Sequence, residues 1–389
     1  MPRTIVEEAR IYVAPTGNRR AIVLELVTAE GTRGIGEAGV AYGLGGEAAA
    51  AMIRSMVERH VIGGDPSAIT AIWSDIYDRS FWTRNGGAIS FAALSAVEQA
   101  LWDIKGRRLG VPVYELMGGR VWDKLPVYAN GWWIGCDTPD EYARAAAATV
   151  SRGYRGLKLY PLGLADPVTV VRHPVRRQVE TQVLFLAADR VAAIREAVGP
   201  EVDIMLDLGG GLTTDQVIRL CKRLEPFDVL FIEEPVDPSS MEALAKVAAN
   251  TSIPLAAGER AYGRSGCQRL MDSGAIDILQ PDVCNTGGLL EARMMAAMAE
   301  SRNARVAPHN YGSALATAVA VQLAATTPNF MVLEHFPDFD REPGYQPVLE
   351  CPLEHTVEAG FMPVPEGAGL GVELHSASLA PHLYADCRA

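Results

Sequence analysis

Apolar positions in this chain change their rhythm along its length. Residues 4–13 (TIVEEARIYV) and 21–27 (AIVLELV) are extended runs, and AEGTRGIGEAG adds a Gly-rich turn and a third strand. Loops at Pro15–Arg20 and Tyr42–Gly46 punctuate this part. From about Glu47 the period becomes helical. Leu94, Val97, Leu101 and Ile104 step by 3, 4 and 3 along one face, which predicts a helix over 88–106 ending at Gly106. LGVPVYELMGG continues with a short helix closed by Gly118 and Gly119. The pattern predicts an α+β domain over 1–122.

Beyond it, short apolar strands alternate with helices. Candidate strands are 126–130, 155–160, 203–207, 228–233, 254–258, 276–280, 305–308 and 330–333. The first seven lead into amphipathic or Ala-rich helices; the eighth runs into a less regular tail. Eight such units fit a TIM-type α/β barrel over 123–350, with residues 351–389 expected to pack back on the first domain. One interval is too long: 47 residues separate Tyr160 from Asp207. The excess lies at 164–181, which carries Arg172, His173, Arg176 and Arg177. An insertion there is either a lid or substrate grip at the barrel mouth, or a surface excursion or oligomer contact.

Composition narrows the class. The 389 residues are 49% hydrophobic, with net charge −12 and pI ≈ 5.2. An acidic chain argues against a nucleic-acid partner. No apolar run approaches the ~20 residues of a membrane helix. The N-terminal MPRTIVEEARIYV has no secretory pattern, and Cys136, Cys221, Cys267, Cys284, Cys351 and Cys387 form no paired spacing. We expect a cytoplasmic protein with reduced thiols and no membrane contact.

The chemistry-bearing pattern is a ruler of three acids. Asp207 ends IMLD, Glu233 lies in LFIEEP and Glu259 in PLAAGE, each 26 residues from the next. Equal intervals of this size place three carboxylates at the C-terminal ends of adjacent barrel strands, the face where such barrels keep their active sites. Three hard oxygen ligands with room for water and substrate suit Mg²⁺. Any one of them alone reads more simply as a helix cap or a solvated acid. Glu234, next to Glu233, is expected to point away from the ligands and to orient the shell around the metal.

With these residues in hand, the chain resembles the enolase superfamily, in its mandelate racemase/muconate lactonizing enzyme branch, over nearly its full length. ALSAVEQALWDIKGRRLGVPVYELMGG is similar to that family's cap signature, and FIEEP, AAGE and QPDVCNTGG to its strand ends. The resemblance implies a modified (β/α)7β barrel closed by an N-terminal α+β cap, with Mg²⁺ on Asp207, Glu233 and Glu259. It implies proton abstraction next to a carboxylate, because the cation stabilises the charge that develops. By the same resemblance His309, after strand seven, and Asp282, after strand six, form a base dyad. Glu334 matches an acid that, protonated, donates to the substrate carboxylate or the intermediate. His335 faces the other way on an ideal strand.

One position departs from the family pattern. Strand two often ends Lys-x-Lys; here Lys158 matches the first lysine and Tyr160 replaces the second. Tyr160 is then a base, an acid or a binding group. Gly209 stands where some sugar-acid dehydratases of the superfamily have an acidic His. Dehydration tolerates the lost lysine better than two-base racemisation does. The reading that results is an acid-sugar dehydratase making a 2-keto-3-deoxy sugar acid, with Tyr42, Trp82, Arg84 and Asn130 suited to a polyol chain. The alternatives are a racemase, epimerase or cycloisomerase on the same ene-diolate, and a non-catalytic metal or sugar-acid binding protein. The resemblance also implies a homo-oligomer, dimer or octamer.

Overall fold

The computed structural model describes residues 4–84, 86–166, 170–172 and 179–389. The chain opens as an antiparallel sheet of β1 (Val6–Thr16), β2 (Arg19–Thr28) and β3 (Arg33–Ala38). The β1–β2 turn needs Gly17, whose φ of 75° is in the left-handed region. Helices α1 (Gly46–Met56), α2 (Ile69–Arg79) and α3 (Gly87–Leu109) pack on this sheet, and the short α4 (Val113–Leu116) follows.

Helix α3 departs from the one-sided pattern that its sequence predicts. It is buried on nearly every side, including Ser95, Glu98, Gln99 and Asp103. One side lies against β3, so closely that a Cβ on Gly34 or Gly36 would sit 2.2 Å from the carbonyl oxygen of Ala100 or Ala96. The other side docks on the barrel. A helix held between two layers has no solvent face for its polar residues, so each of them finds a partner in a neighbouring layer.

The second part alternates strand and helix. In order come β4 (Lys124–Ala129), α5 (Pro139–Ser151), β5 (Gly156–Leu159), a small hairpin of β6 (Leu164–Asp166) and β7 (Val170–Arg172), and α6 (Thr181–Val198). Next are β8 (Asp203–Asp207), α7 (Thr214–Leu224), β9 (Val229–Glu233), α8 (Met241–Ala248), β10 (Leu255–Ala257) and α9 (Gly263–Asp272). Then β11 (Ile278–Leu279), α10 (Leu289–Glu300), β12 (Arg305–Val306), α11 (Ala314–Ala325) and β13 (Leu333–His335) complete the unit.

The strands run parallel in the order β12-β11-β10-β9-β8-β5-β4-β13. Two backbone bonds, Val306 N to Asn329 O at 2.9 Å and Met331 N to Val306 O at 2.8 Å, join β12 to the approach of β13 and close the ring. Its interior is filled by Tyr128, Met205, Phe231, Ala256, Ile278 and Ala307. Seven strands are followed by helices and β13 by irregular chain, so the architecture is a (β/α)7β barrel with an α+β cap. The eighth strand pairs later than its apolar run suggests. The run Phe330–Leu333 is spent largely on closure, and the strand proper is Leu333-Glu334-His335, because the β4 pairing uses those residues.

The chain ends with β14 (Phe361–Pro363), antiparallel to β4, the short α12 (Ser376–Leu379), and β15 (Leu383–Arg388), which adds to the edge of the cap sheet beside β1. Of the insertion at 164–181, His173, Arg176 and Arg177 lie outside the described residues, and of Arg172 only the backbone is described. Among the described residues no helix is long and apolar enough to cross a membrane.

Candidate active site

Asp207 and Glu233 end neighbouring strands and are register partners, and Glu259 follows β10 on the next. Parallel strands with equal repeats therefore bring the three acids of the ruler to one end of the barrel. Glu233, Glu259 and His309 each offer a ligand atom within 4.8 Å of the others. Asp207 is outside that tightest group, and its Oδ1 accepts from the Gly209 backbone N–H at 2.7 Å. Glu233 is fully buried; its Oε2 accepts from Lys158 and Gln280, both at 2.7 Å, while Oε1 has no hydrogen-bond partner among the described residues. Burial, with Asp207 and other acids adding to it against Lys158, pushes the Glu233 carboxyl up to about 7. Burial likewise raises Asp207, with Glu259 adding and Lys158 opposing. A buried, unpartnered carboxylate oxygen among crowded acids fits an oxygen-seeking divalent cation.

Lys158 is 1% exposed and lies between two acids, 2.7 Å from Glu233 Oε2 and 2.7 Å from Glu334 Oε1. Burial alone would lower its pKa, but Glu233 and Glu334 hold it well above the ordinary lysine value. It is a fixed cation, not a base. Glu334 differs from the protonated donor expected from the resemblance. Burial would raise its pKa, yet Lys158 and then His309 hold it below the ordinary value. All its contacts are donors: Lys158 and Asn130 Nδ2 (2.8 Å) on Oε1, the Asn310 N–H (2.8 Å) on Oε2.

His309 and Asp282 meet: Nδ1 is 2.8 Å from Asp282 Oδ2, and Nε2 is 3.1 Å from Glu259 Oε2. Asp282 is itself fixed by the Cys284 N–H (2.7 Å) and Asn285 Nδ2 (2.9 Å). Burial would lower the His309 pKa, but Glu259, Asp282 and Glu334 hold it well above its ordinary value. An imidazole oriented at one nitrogen by a carboxylate exchanges protons at the other.

Tyr160 lies beyond the end of β5, three strands round the barrel from β12, with its ring 6.4 Å from that of Trp133. Burial, then Asp207, pushes its phenol well above the ordinary range, so it is neutral. Gly209 faces it: a Cβ there would lie 3.7 Å from the Tyr160 ring.

The remaining expected contacts divide. Asn130 is in the site through Glu334. Tyr42 is half exposed on a cap loop, edge-on to Tyr311 at 6.0 Å. Trp82 is 90% exposed and packs on Phe81, and Arg84 bonds back to the Asp78 carbonyl. His335 is buried away from it, stacked on Tyr154 with Nε2 2.9 Å from the phenol. Burial holds its pKa down at about 3. Alternation along β13 sends Glu334 inward and His335 outward. Glu234 has a φ of 43°; its buried carboxylate is 2.8 Å from Arg260 Nη2. Gln280, Arg260 and Asn310 were not singled out from the sequence. The signal available was their position, each within two residues of an acid or base at a strand end.

The N-terminal domain model of mandelate racemase/muconate lactonizing enzyme matches residues 4–118, and the enolase C-terminal domain-like model matches 141–378. The chain belongs to this family. It is thereby an enolase-superfamily enzyme, and its relatives place it among the hydro-lyases. It is 35% identical over 361 residues to the D-galactonate dehydratase of Variovorax paradoxus (strain S110), covering 91% of this chain and 89% of that one. It is 35% identical over 318 residues to the D-gluconate dehydratase of Thermoproteus tenax; that match covers 82% of this chain and spans 61% of the relative's own length. A crystal structure from Mesorhizobium loti, provisionally named a dehydratase, superposes with a TM-score of 0.94 at 46% identity, covering 98% of this chain and 99% of that chain.

Proposed function

We propose that the protein is a Mg²⁺-dependent acid-sugar dehydratase that converts an aldonic or aldaric acid into its 2-keto-3-deoxy product. The observation that carries this reading is the oriented His309–Asp282 dyad beside a buried Glu233 oxygen that lacks a partner. Relatives named for D-galactonate and D-gluconate dehydration support it.

Asp207, Glu233 and Glu259 would hold the cation, which when bound offsets the charge that develops on the substrate carboxylate. His309 Nε2 takes the C2 proton while Asp282 holds the ring at Nδ1. Lys158 keeps a permanent positive charge beside Glu233 and Glu334 and takes no proton. The C3–oxygen bond breaks, and the hydroxyl leaves as water with a proton from Tyr160 in an anti elimination, or from His309 in a syn one. The enol that remains takes a proton at C3 and becomes the 2-keto acid. A racemase on the same site would need a base opposite His309. The Tyr160 phenol, neutral and held above its ordinary pKa, is poorly suited to that task, whereas the donor role at least uses the proton it already carries.

The test is a screen of the protein with Mg²⁺ against mono- and diacid sugars, read as 2-keto acid. A hit that is lost with EDTA and in His309→Asn establishes the reading. A blank screen with α-proton exchange in D₂O would move the assignment to a racemase or epimerase, and a blank in both to a binding protein. Tyr160→Phe separates the two proton routes, because only the anti route loses its donor.

A further inference from the structure

Resting on the reading of Asp207, Glu233 and Glu259 as cation ligands, the geometry points to Glu234 and Arg260 as a positioning pair that fixes the three strand ends relative to one another. Glu234 touches all three. Its backbone follows Glu233 directly. Its carbonyl accepts from the Gly210 N–H at 2.7 Å, which ties down the loop after Asp207. Its carboxylate, in a residue 2% exposed, lies 2.8 Å from Arg260 Nη2 and accepts a long bond from the Gly258 N–H at 3.4 Å. Arg260 then passes the constraint on, with Nε 3.1 Å from Glu259 Oε1. This second contact is an ion pair without hydrogen-bond alignment.

Two backbone features show that the arrangement is held against local preference. Glu234 has a φ of 43°, a left-handed conformation that non-glycine residues seldom adopt. Gly258 has a φ of 145°, and a Cβ there would fall 2.9 Å from the Gln280 backbone nitrogen, so the chain runs against β11 just before Glu259. The strained turn aims Glu234 at Arg260. Among the described residues, the other ion pair of Glu259 is with His309, the residue that must exchange a proton.

The guanidinium matters here for its shape. It spans two carboxylates from two different nitrogens, which an ammonium point charge does not reproduce. Arg260→Lys therefore keeps the charge and removes the bridge. The test is Mn²⁺ binding to the metal-stripped full-length protein, followed by the electron paramagnetic resonance of free Mn²⁺, so no turnover enters. Arg260→Lys and Glu234→Gln are each expected to bind roughly 10-fold more weakly than the wild type, the range seen for partners that orient metal ligands. The double variant should be no worse than about the weaker single one, since either change breaks the same bridge. The metal-free melting temperature of Arg260→Lys should stay near that of the wild type, because the arginine is 36% exposed. Affinities within about two-fold of wild type in both single variants would overturn the proposal, as would full affinity in Arg260→Lys with a loss in Glu234→Gln. A wild-type protein that bound no Mn²⁺ would remove the metal reading, and the pair's role with it.

Discussion

Two sets of buried carboxylates lie in this molecule, one in the seam between cap and barrel and one at the barrel mouth. The seam acids are saturated with donors. Glu98 accepts from the backbone N–H groups of Leu289 and Leu290 at the start of α10, and from Trp102 Nε1. Glu37 accepts from the Ser313 and Ala316 N–H groups at the start of α11 and from the Ser313 hydroxyl. Asp103 takes the Ile35 and Leu370 N–H groups and Arg107. They are helix caps and fasteners, placed where unpaired N–H groups and the helix dipole favour a negative charge. The mouth acids are supplied only in part: Glu233 Oε2 accepts from Lys158 and Gln280, but its buried Oε1 has no hydrogen-bond partner among the described residues. Burial is common to both sets, so it does not mark function. The difference lies in whether the chain itself completes the acid's hydrogen bonding, or presents a buried carboxylate oxygen whose chemistry suits a cation.

The largest effect should come from the proposed cation ligands. Stripping divalent metal should abolish turnover. Returning Mg²⁺ at about 100 times its dissociation constant should stabilise the fold by about 2.7 kcal/mol. Glu233→Gln should lose this Mg²⁺-dependent rise in melting temperature, and Glu98→Gln should keep it. If both variants kept it, the contrast between seam and mouth would be lost. Next in size is the base. His309→Asn should lower kcat by about 10²- to 10⁴-fold, the usual share of a general acid–base group, with little change in the Mn²⁺ dissociation constant. A variant with near-normal turnover would send the proton elsewhere.

Lys158 tests the mouth from its sealed side. Lys158→Met leaves Glu233 and Glu334 buried without their shared cation, and should cost about 3–5 kcal/mol in urea melts of the metal-free protein. Adding Glu334→Gln to the same chain should recover part of that loss. A cost below about 1 kcal/mol would mean that the two acids are relieved by other groups.

How much of this was legible in the sequence follows the same division. Asp207, Glu233 and Glu259 could be read because each ends an apolar strand at a fixed interval, and a parallel barrel turns equal spacing into proximity. His309 and Asp282 gained their roles from family resemblance, which the geometry supports with a 2.8 Å contact. The seam was hidden. Glu98 and Gln99 sit in a helix whose apolar stripe predicts one buried face, and no local pattern reports that a second layer covers the other. His335 could be placed by alternation alone: with Glu334 turned inward it turns outward and stacks on Tyr154. For Glu234 the sequence suggests an acid turned away from the ligands, but neither the left-handed turn in which its strand ends nor its Arg260 partner has a local signal.

The smallest effect, and the one that probes the seam directly, is the pH dependence of Glu98. Burial pushes its carboxyl from the ordinary 4.5 up to about 7, although the N–H groups of Leu290 and Leu289 and the Trp102 ring all oppose the shift. The folded protein therefore holds this proton more tightly than the unfolded chain does. A raised acid gives the opposite sign to a salt-bridged one: its contribution is most favourable below about 4.5 and is lost as pH rises towards 7, at about 1.4 kcal/mol per pKa unit at most. Glu98→Gln carries no titrating proton. It should be less stable than wild type by roughly the 1 kcal/mol of a misplaced hydrogen bond, since its amide cannot accept from all three donors. That deficit should shrink as pH rises from 4.5 to 7, and melting temperatures of the two proteins measured across that window would show it. Parallel curves would mean that the three donors hold Glu98 ionised throughout. Burial would then be fully offset in the seam by helix N-termini, as it is for Glu334 at the mouth by Lys158 and His309.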